Sequence, residues 1–265
     1  MEIKDLINKS YYGTIGYITK KEDLDILERY IIFNLKILKE YKQIIVATNY
    51  KNHPELVEEN SSLWKKYFPN CIMLDSKINR GHNFGYTDLD NLLVDYCISN
   101  NITWLCKSAN DIILRPEILN KEIPNVDFYY LNGIGYGGMI KYNFNFEDII
   151  KNDFYPQTNF YFINTSKIDY LNNKEYLNDT YKTISKIKNY NGKVWEYING
   201  WSCERFLRKC VLRNDLTKHH LISPKSYKIL LKKIKDKQIH DCSHKNMMIE
   251  GVCHFQHPNQ TVTMF

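Results

Sequence analysis

The stretch QIIVAT at 43–48 has none of the every-second-residue alternation of a sheet wetted on one side. A strand of that kind is buried on both faces, and a parallel sheet layered between helices supplies such burial. Its surroundings follow the same plan. Upstream, GTIGYIT (13–19) predicts a strand, and the next segment sets Leu24, Leu27, Ile31, Leu35 and Leu38 at helical spacing. Glu22, Asp23 and Asp25 fall in that helix's first turn, where its dipole favours carboxylates. Downstream come a helix around 54–67, a strand at NCIML (70–74), and a helix with Leu89, Leu92, Leu93, Tyr96 and Cys97 on one stripe. NITWLCKSA (101–109) predicts a fourth strand, so the first 120 residues read β-α-β-α-β-α-β. The expected fold class is α/β, a mostly parallel central sheet flanked by helices, with ligands at the carboxyl ends of the strands.

The remainder is less regular. DFYYLNGIGYGGMI (127–140) and TNFYFINTS (158–166) predict strands, and CERFLRKCVLR (203–213) a short helix with Phe206, Leu207, Cys210 and Val211 inward. SPKSYKILLKKIKDK (223–237) predicts a helix capped by Ser223, with Pro224 at its first position. No linker or repeat divides the chain, so a single domain over 1–265 is expected.

Composition narrows the function classes. The 43% hydrophobic and 25% charged content is that of an ordinary globular protein. No apolar run approaches the roughly 18–20 residues of a membrane span, and MEIKDLINKS lacks the blocks of a signal peptide. Both point to the cytoplasm. Seven cysteines, an odd number without a Cys-x-x-Cys pair, argue against a disulfide framework and a cysteine zinc site. The +6 charge is mild, and its basic residues are dispersed rather than gathered with aromatics, against a nucleic-acid module.

Five segments, in order, carry a resemblance. IIVATNYKN is an apolar strand and polar turn; NRGHNFGY opens the helix before the fourth strand; WLCKSANDIILRPEIL ends that strand in an Asn-Asp pair. GWSCERFLRK begins a helix with an acidic residue, and GVCHFQH is a late strand carrying histidines. Together they resemble the GT-A nucleotide-sugar glycosyltransferases, particularly the family-2-like group, over roughly 13–257, with 115–195 matched loosely. The resemblance implies a GT-A-like, Rossmann-like sheet, with a nucleotide-sugar-binding half at 1–120 and an irregular acceptor-binding half at 121–265. It implies transfer of a sugar from a nucleotide-diphosphate donor to a saccharide or glycolipid hydroxyl.

The roles follow by position. Breaking a sugar–phosphate bond leaves a charged diphosphate, which a divalent cation or cationic side chains must stabilise. Asp111 is the expected ligand for Mn²⁺ or Mg²⁺, with His254 or His257 completing the site. The family's acidic cluster here reads Ala109, Asn110, Asp111, so a single carboxylate remains and Asn110 offers a neutral carbonyl or holds the ribose. A Gly after a strand lets the backbone turn tightly against a ligand. In Asn-Arg-Gly, Arg80 would then reach the diphosphate or orient a carboxylate, and Asn79 would lie near the base or ribose. Thr19 and Asn49, at the ends of the first two strands, are the remaining donor contacts.

Glu204 is the expected base of an inverting transfer, taking the proton of the attacking hydroxyl. Trp201 would stack on an acceptor sugar. GIGYGG (133–138) does not follow the first strand or open a helix, so it reads as an acceptor loop rather than a dinucleotide fingerprint. Two readings stay open for 223–237: a core-packed helix with a solvated lysine face, or a helix resting peripherally on an anionic membrane near a lipid-linked acceptor. The thinned acidic motif keeps open a second class as well, a degenerate, non-catalytic sugar- or partner-binding protein on the same scaffold.

Overall fold

The computed structural model describes residues 1–16, 18, 20–49, 55–76, 82–110, 112–132, 156–169, 203–223, 247–249 and 252–254, with single positions between 175 and 232. Elements run α1 (Ile3–Lys9), β1 (Tyr11–Gly16), α2 (Glu22–Leu38), β2 (Gln43–Thr48), α3 (Leu56–Tyr67), β3 (Ile72–Asp75), α4 (His82–Ser99) and β4 (Trp104–Ser108). They continue with β5 (Ile112–Leu114), β6 (Phe128–Asn132), β7 (Pro156–Asn164), α5 (Cys203–Arg213), β8 (Lys218–His220), β9 (Met247–Ile249) and β10 (Val252–His254).

A seven-stranded sheet runs in the order β3-β2-β1-β4-β7-β6-β8. The pairs β3–β2, β2–β1, β1–β4 and β6–β8 are parallel, while β7 lies antiparallel to both its neighbours. The mostly parallel, helix-flanked α/β sheet expected from QIIVAT is the fold observed. It draws strands from both sides of residue 120. β5, β10 and β9 form a second, antiparallel sheet.

Six strands of the main sheet, all but β8 at its edge, feed two cores, which is why their apolar runs do not alternate with polar residues. On one face Tyr12, Ile44, Val46, Cys106, Phe160 and Phe162 meet Ile3 and Leu6 of α1, Leu27 and Ile31 of α2 and Trp64 of α3. On the other, Ile45, Ala47, Leu105, Tyr161 and Ile163 meet Leu89, Leu93 and Cys97 of α4 and Leu207, Cys210 and Val211 of α5. Of the expected α4 stripe, Leu89, Leu93 and Cys97 are buried while Leu92 and Tyr96 are half-buried against the same core. Gly13 lets α4 approach β1: a Cβ there would lie 2.8 Å from Leu105 Cδ1 and 3.1 Å from Leu93 Cδ1.

Five cysteines whose side chains are described, at 71, 97, 106, 203 and 210, are free thiols in buried positions, as expected for small hydrophobes. Burial pushes the Cys97 thiol up to about 12. Helix α1 had no counterpart among the expected elements. The chain start is anchored where Ile3 N donates to Lys121 O (2.9 Å) and Ile123 N to Met1 O (2.9 Å). Strand 127–140 is described only as β6, and GIGYGG lies outside the described residues. Of 223–237, positions 225, 226, 229 and 232 are helical. No helix among the described residues is long and apolar enough to cross a membrane.

Candidate functional site

Two helices and two strands converge at the carboxyl end of β4. Ala109 N continues the β4–β7 ladder by donating to Asn159 O at 2.7 Å, and the turn at Asn110 follows. Beside it, Thr158 of β7 donates its hydroxyl to Glu204 Oε1 at 3.2 Å. Glu204 is the second residue of α5 and half-buried. A carboxylate there is favoured by the helix dipole, and the apolar stripe Cys203, Phe206, Leu207 and Cys210 seats the helix against β7 and α4. Of the positions singled out from the sequence, Glu204 thus bonds to β7 beside the β4 end that Asn110 follows.

Beneath them lies a charged group that the sequence reading did not assign. The Lys107 side chain, on β4, is wholly enclosed and stands 3.5 Å from Asp90 Oδ1. That is an ion-pair distance rather than a hydrogen bond, and Oδ1 has no hydrogen-bond partner. Lys107 Nζ instead donates to Tyr86 Oη and to the Thr158 carbonyl, and lies 4.2 Å from the centre of the Tyr86 ring. Tyr86 also donates to Thr158 O at 3.1 Å. Tyr86 and Asp90, one helical turn apart on α4, present one phenol and one carboxylate to the same ammonium.

Burial pushes the Asp90 carboxyl up to about 6; the Lys107 charge opposes this, the nearby Glu204 charge adds to it, and the Tyr161 hydroxyl opposes it. Burial likewise raises the Cys203 thiol well above its ordinary value, the Glu204 charge adding to the rise. Next to Asp90, a cavity of about 20 Å³ is lined by Thr87, Asn91, Tyr161 and Cys203 among others. It has room for one water, and the buried Asn91 Nδ2, like Asp90 Oδ1, has no hydrogen-bond partner.

A second anchor fixes the chain just past the Asn-Asp turn. Asn34 of α2 donates Nδ2 to Ile112 O (3.1 Å) and accepts from Leu114 N through Oδ1 (2.8 Å), as a neighbouring strand would. β10 pairs with β5 on its other side, with His254 in register with Ile112.

The remaining expected residues divide as follows. Asn49 directly follows β2, half-buried, at the strand end where it was expected. His254 is placed by backbone register alone. Thr19, Asn79, Arg80, Asp111, Trp201 and His257 lie outside the described residues. Among the described residues no group of three His, Cys, Asp or Glu side chains gathers as a metal site. The Lys107 group did leave a trace in the sequence: a lone lysine inside the apolar run WLCKSA must be either at an edge or paired in the core. Thr158 left none, since a threonine in a strand is ordinary.

The sequence matches no protein-family model, and no curated protein matches it. Among solved structures, the chain is similar to a nucleoside-diphosphate-sugar pyrophosphorylase from Vibrio cholerae RC9, with 12% identity, 79% of this chain and 90% of that one covered, and a TM-score of 0.42. It is similar to a glycosyltransferase involved in glycosylation of the major capsid of PBCV-1 (11% identity, 72% and 75% covered, TM-score 0.30). A third likeness is to HddC from Yersinia pseudotuberculosis (10% identity, 60% and 78% covered, TM-score 0.34). At these scores the likenesses assign neither a family nor a reaction to this chain.

Proposed function

We propose that this protein is a glycosyltransferase that moves a sugar from a nucleotide-diphosphate donor to a saccharide or glycolipid hydroxyl, with Glu204 as the base. The observation that supports it most is the meeting of Glu204 with the carboxyl end of β4, through Thr158. In a layered α/β sheet that end is where ligands bind. Glu204 takes the proton of the acceptor hydroxyl as that oxygen attacks the anomeric carbon, and the nucleoside diphosphate departs on the opposite side. Arg80 and Asn79 hold the diphosphate and ribose, Thr19, Asn49 and Asn110 complete the donor contacts, and Trp201 supports the acceptor.

Asp111 and His254, with His257, are the residues that would hold Mn²⁺ or Mg²⁺. A carboxylate and an imidazole suit Mn²⁺ better than Mg²⁺. A bound cation would supply charge neutralisation to the departing diphosphate.

Isothermal titration with uridine, guanosine and cytidine diphosphates, with and without Mn²⁺, tests the donor site. Asp111→Asn is expected to weaken that binding, whereas Glu204→Gln is expected to spare binding and abolish transfer. Failure of every nucleotide in the panel to bind would end this reading. The reduced motif Ala109-Asn110-Asp111 favours one other reading, a non-catalytic binder of sugars or partners on the same scaffold. Donor hydrolysis by the wild type that disappears in Glu204→Gln would exclude it.

A further inference from the structure

We propose that Thr158 is a positioning residue for the base, holding the Glu204 carboxylate from a strand that Lys107 fixes in turn. The inference rests on the reading of Glu204 as the proton acceptor, and names a residue which that reading does not include.

Thr158 uses its two polar groups in opposite directions. Its hydroxyl donates upward to Glu204 Oε1 at 3.2 Å. Its carbonyl is taken from below by Lys107 Nζ and by Tyr86 Oη at 3.1 Å. Both Thr158 and Lys107 are buried, and the next residue, Asn159, accepts from Ala109 N at 2.7 Å. The hydroxyl therefore sits on a strand whose backbone is tied to α4 and β4 at residues 158 and 159. A β-branched side chain adds stiffness at χ1. A site built on such an element is held more closely than one on a loop.

Glu204 needs such a partner. In a helix's first turn and half-buried, a glutamate has several rotamers open to it. The Thr158 hydroxyl selects one of them by occupying one carboxylate oxygen. Lys107 has a further effect at this place: its charge faces Asp90, so the buried carboxylate closest to this network is matched by an ammonium 3.5 Å away. Without that match, a second uncompensated negative charge would stand under the base and repel it.

The test uses the whole chain and two substitutions of one residue. Thr158→Val keeps the shape and removes the hydroxyl; Thr158→Ser keeps the hydroxyl. Glutamate labelled with ¹³C at the carboxyl carbon gives a Glu204 resonance, identified by its loss in Glu204→Gln. That resonance is expected to move in Thr158→Val and to return in Thr158→Ser. In transfer assays Thr158→Val is expected to lower kcat roughly 10- to 100-fold, the scale of a small misplacement of a reacting group. The donor KM stays unchanged, and Thr158→Ser restores turnover. A Glu204 resonance indifferent to Thr158→Val overturns the proposal, as does full turnover by that variant. If the wild type transfers no sugar but the resonance responds as expected, the contact stands and the assignment of Glu204 as base falls.

Discussion

Replacing Lys107 by Met is the most exacting test of the buried charge group. Met keeps most of the side chain's length and apolar volume, so the change removes a charge and three donors without opening a large cavity. Tyr86 still donates to the Thr158 carbonyl at 3.1 Å, but Asp90 is left buried without its counter-charge. Breaking a buried pair from one side costs about 3–5 kcal/mol. At about 2–4 °C per kcal/mol for a chain of this size, Tm falls by roughly 6–20 °C. The sign of the pH dependence follows from Asp90, whose carboxyl lies at about 6 against an ordinary 3.8. Losing the charge that opposes this rise pushes it higher still. A carboxyl raised in the folded state weakens the fold as pH climbs from the unfolded value through the folded one, and has no effect below both. The variant's deficit is therefore largest near about pH 8 and shrinks near about pH 5. Urea unfolding at the two pH values measures it. Adding Asp90→Asn to Lys107→Met removes the orphaned charge and is expected to recover most of the loss. A deficit below about 1 kcal/mol near pH 8, the scale of an exposed pair, would refute the reasoning, as would a double variant no more stable than the single.

Asn34→Leu strands the Ile112 carbonyl and the Leu114 amide in the core, and should cost about 2–4 kcal/mol by urea unfolding. Gly13→Ala forces a Cβ to within 2.8 Å of Leu105 Cδ1, so a loss of about 1–3 kcal/mol and a lower Tm are expected. Burial alone would raise the Asp127 carboxyl, but Lys167 at 2.8 Å, the Thr217 hydroxyl at 2.7 Å and Asn164 at 3.2 Å outweigh it and hold it below its usual value. Asp127→Asn should cost about 1–3 kcal/mol at neutral pH. Because the wild-type contribution exists above the unfolded pKa and is lost as pH falls through the folded one, thermal melts of the two proteins should converge in acid.

β1, β2 and β4 are legible because a strand buried on both faces has to be apolar along its whole length. QIIVAT is β2 residue for residue, and CERFLRKCVLR is α5 in the same way. The antiparallel sense of β7 was not legible: TNFYFINTS has the same composition whichever way it runs, and direction is decided by where β6 and β4 leave room. Of the small sheet, β10 falls within the strand expected at GVCHFQH, whereas β5 and β9, with three residues each, are too short to show a period. At the site, Glu204 is singled out by the resemblance of GWSCERFLRK to an acidic helix start of the GT-A glycosyltransferases, and its place in the first turn of α5 is as that resemblance implies. Lys107 shows in the sequence only as a lysine out of place in an apolar strand, and Asp90, which reads as part of a helix's solvated face, is not legible as its partner until the fold brings it alongside from 17 residues away on another element.

β6 ends and β7 begins as ladder partners, with Asn132 in register with Pro156. Whatever course the chain takes from 133 to 155, it starts and finishes at the same rung, two residues from Thr158. Ring size contributes little to the stability of such a closure, about 0.6 kcal/mol for each doubling. The seven-stranded sheet is thus indifferent to the length of that excursion, and a short hairpin could be grafted in its place. The same rung is a port through which new loop architecture could be spliced without renegotiating the core.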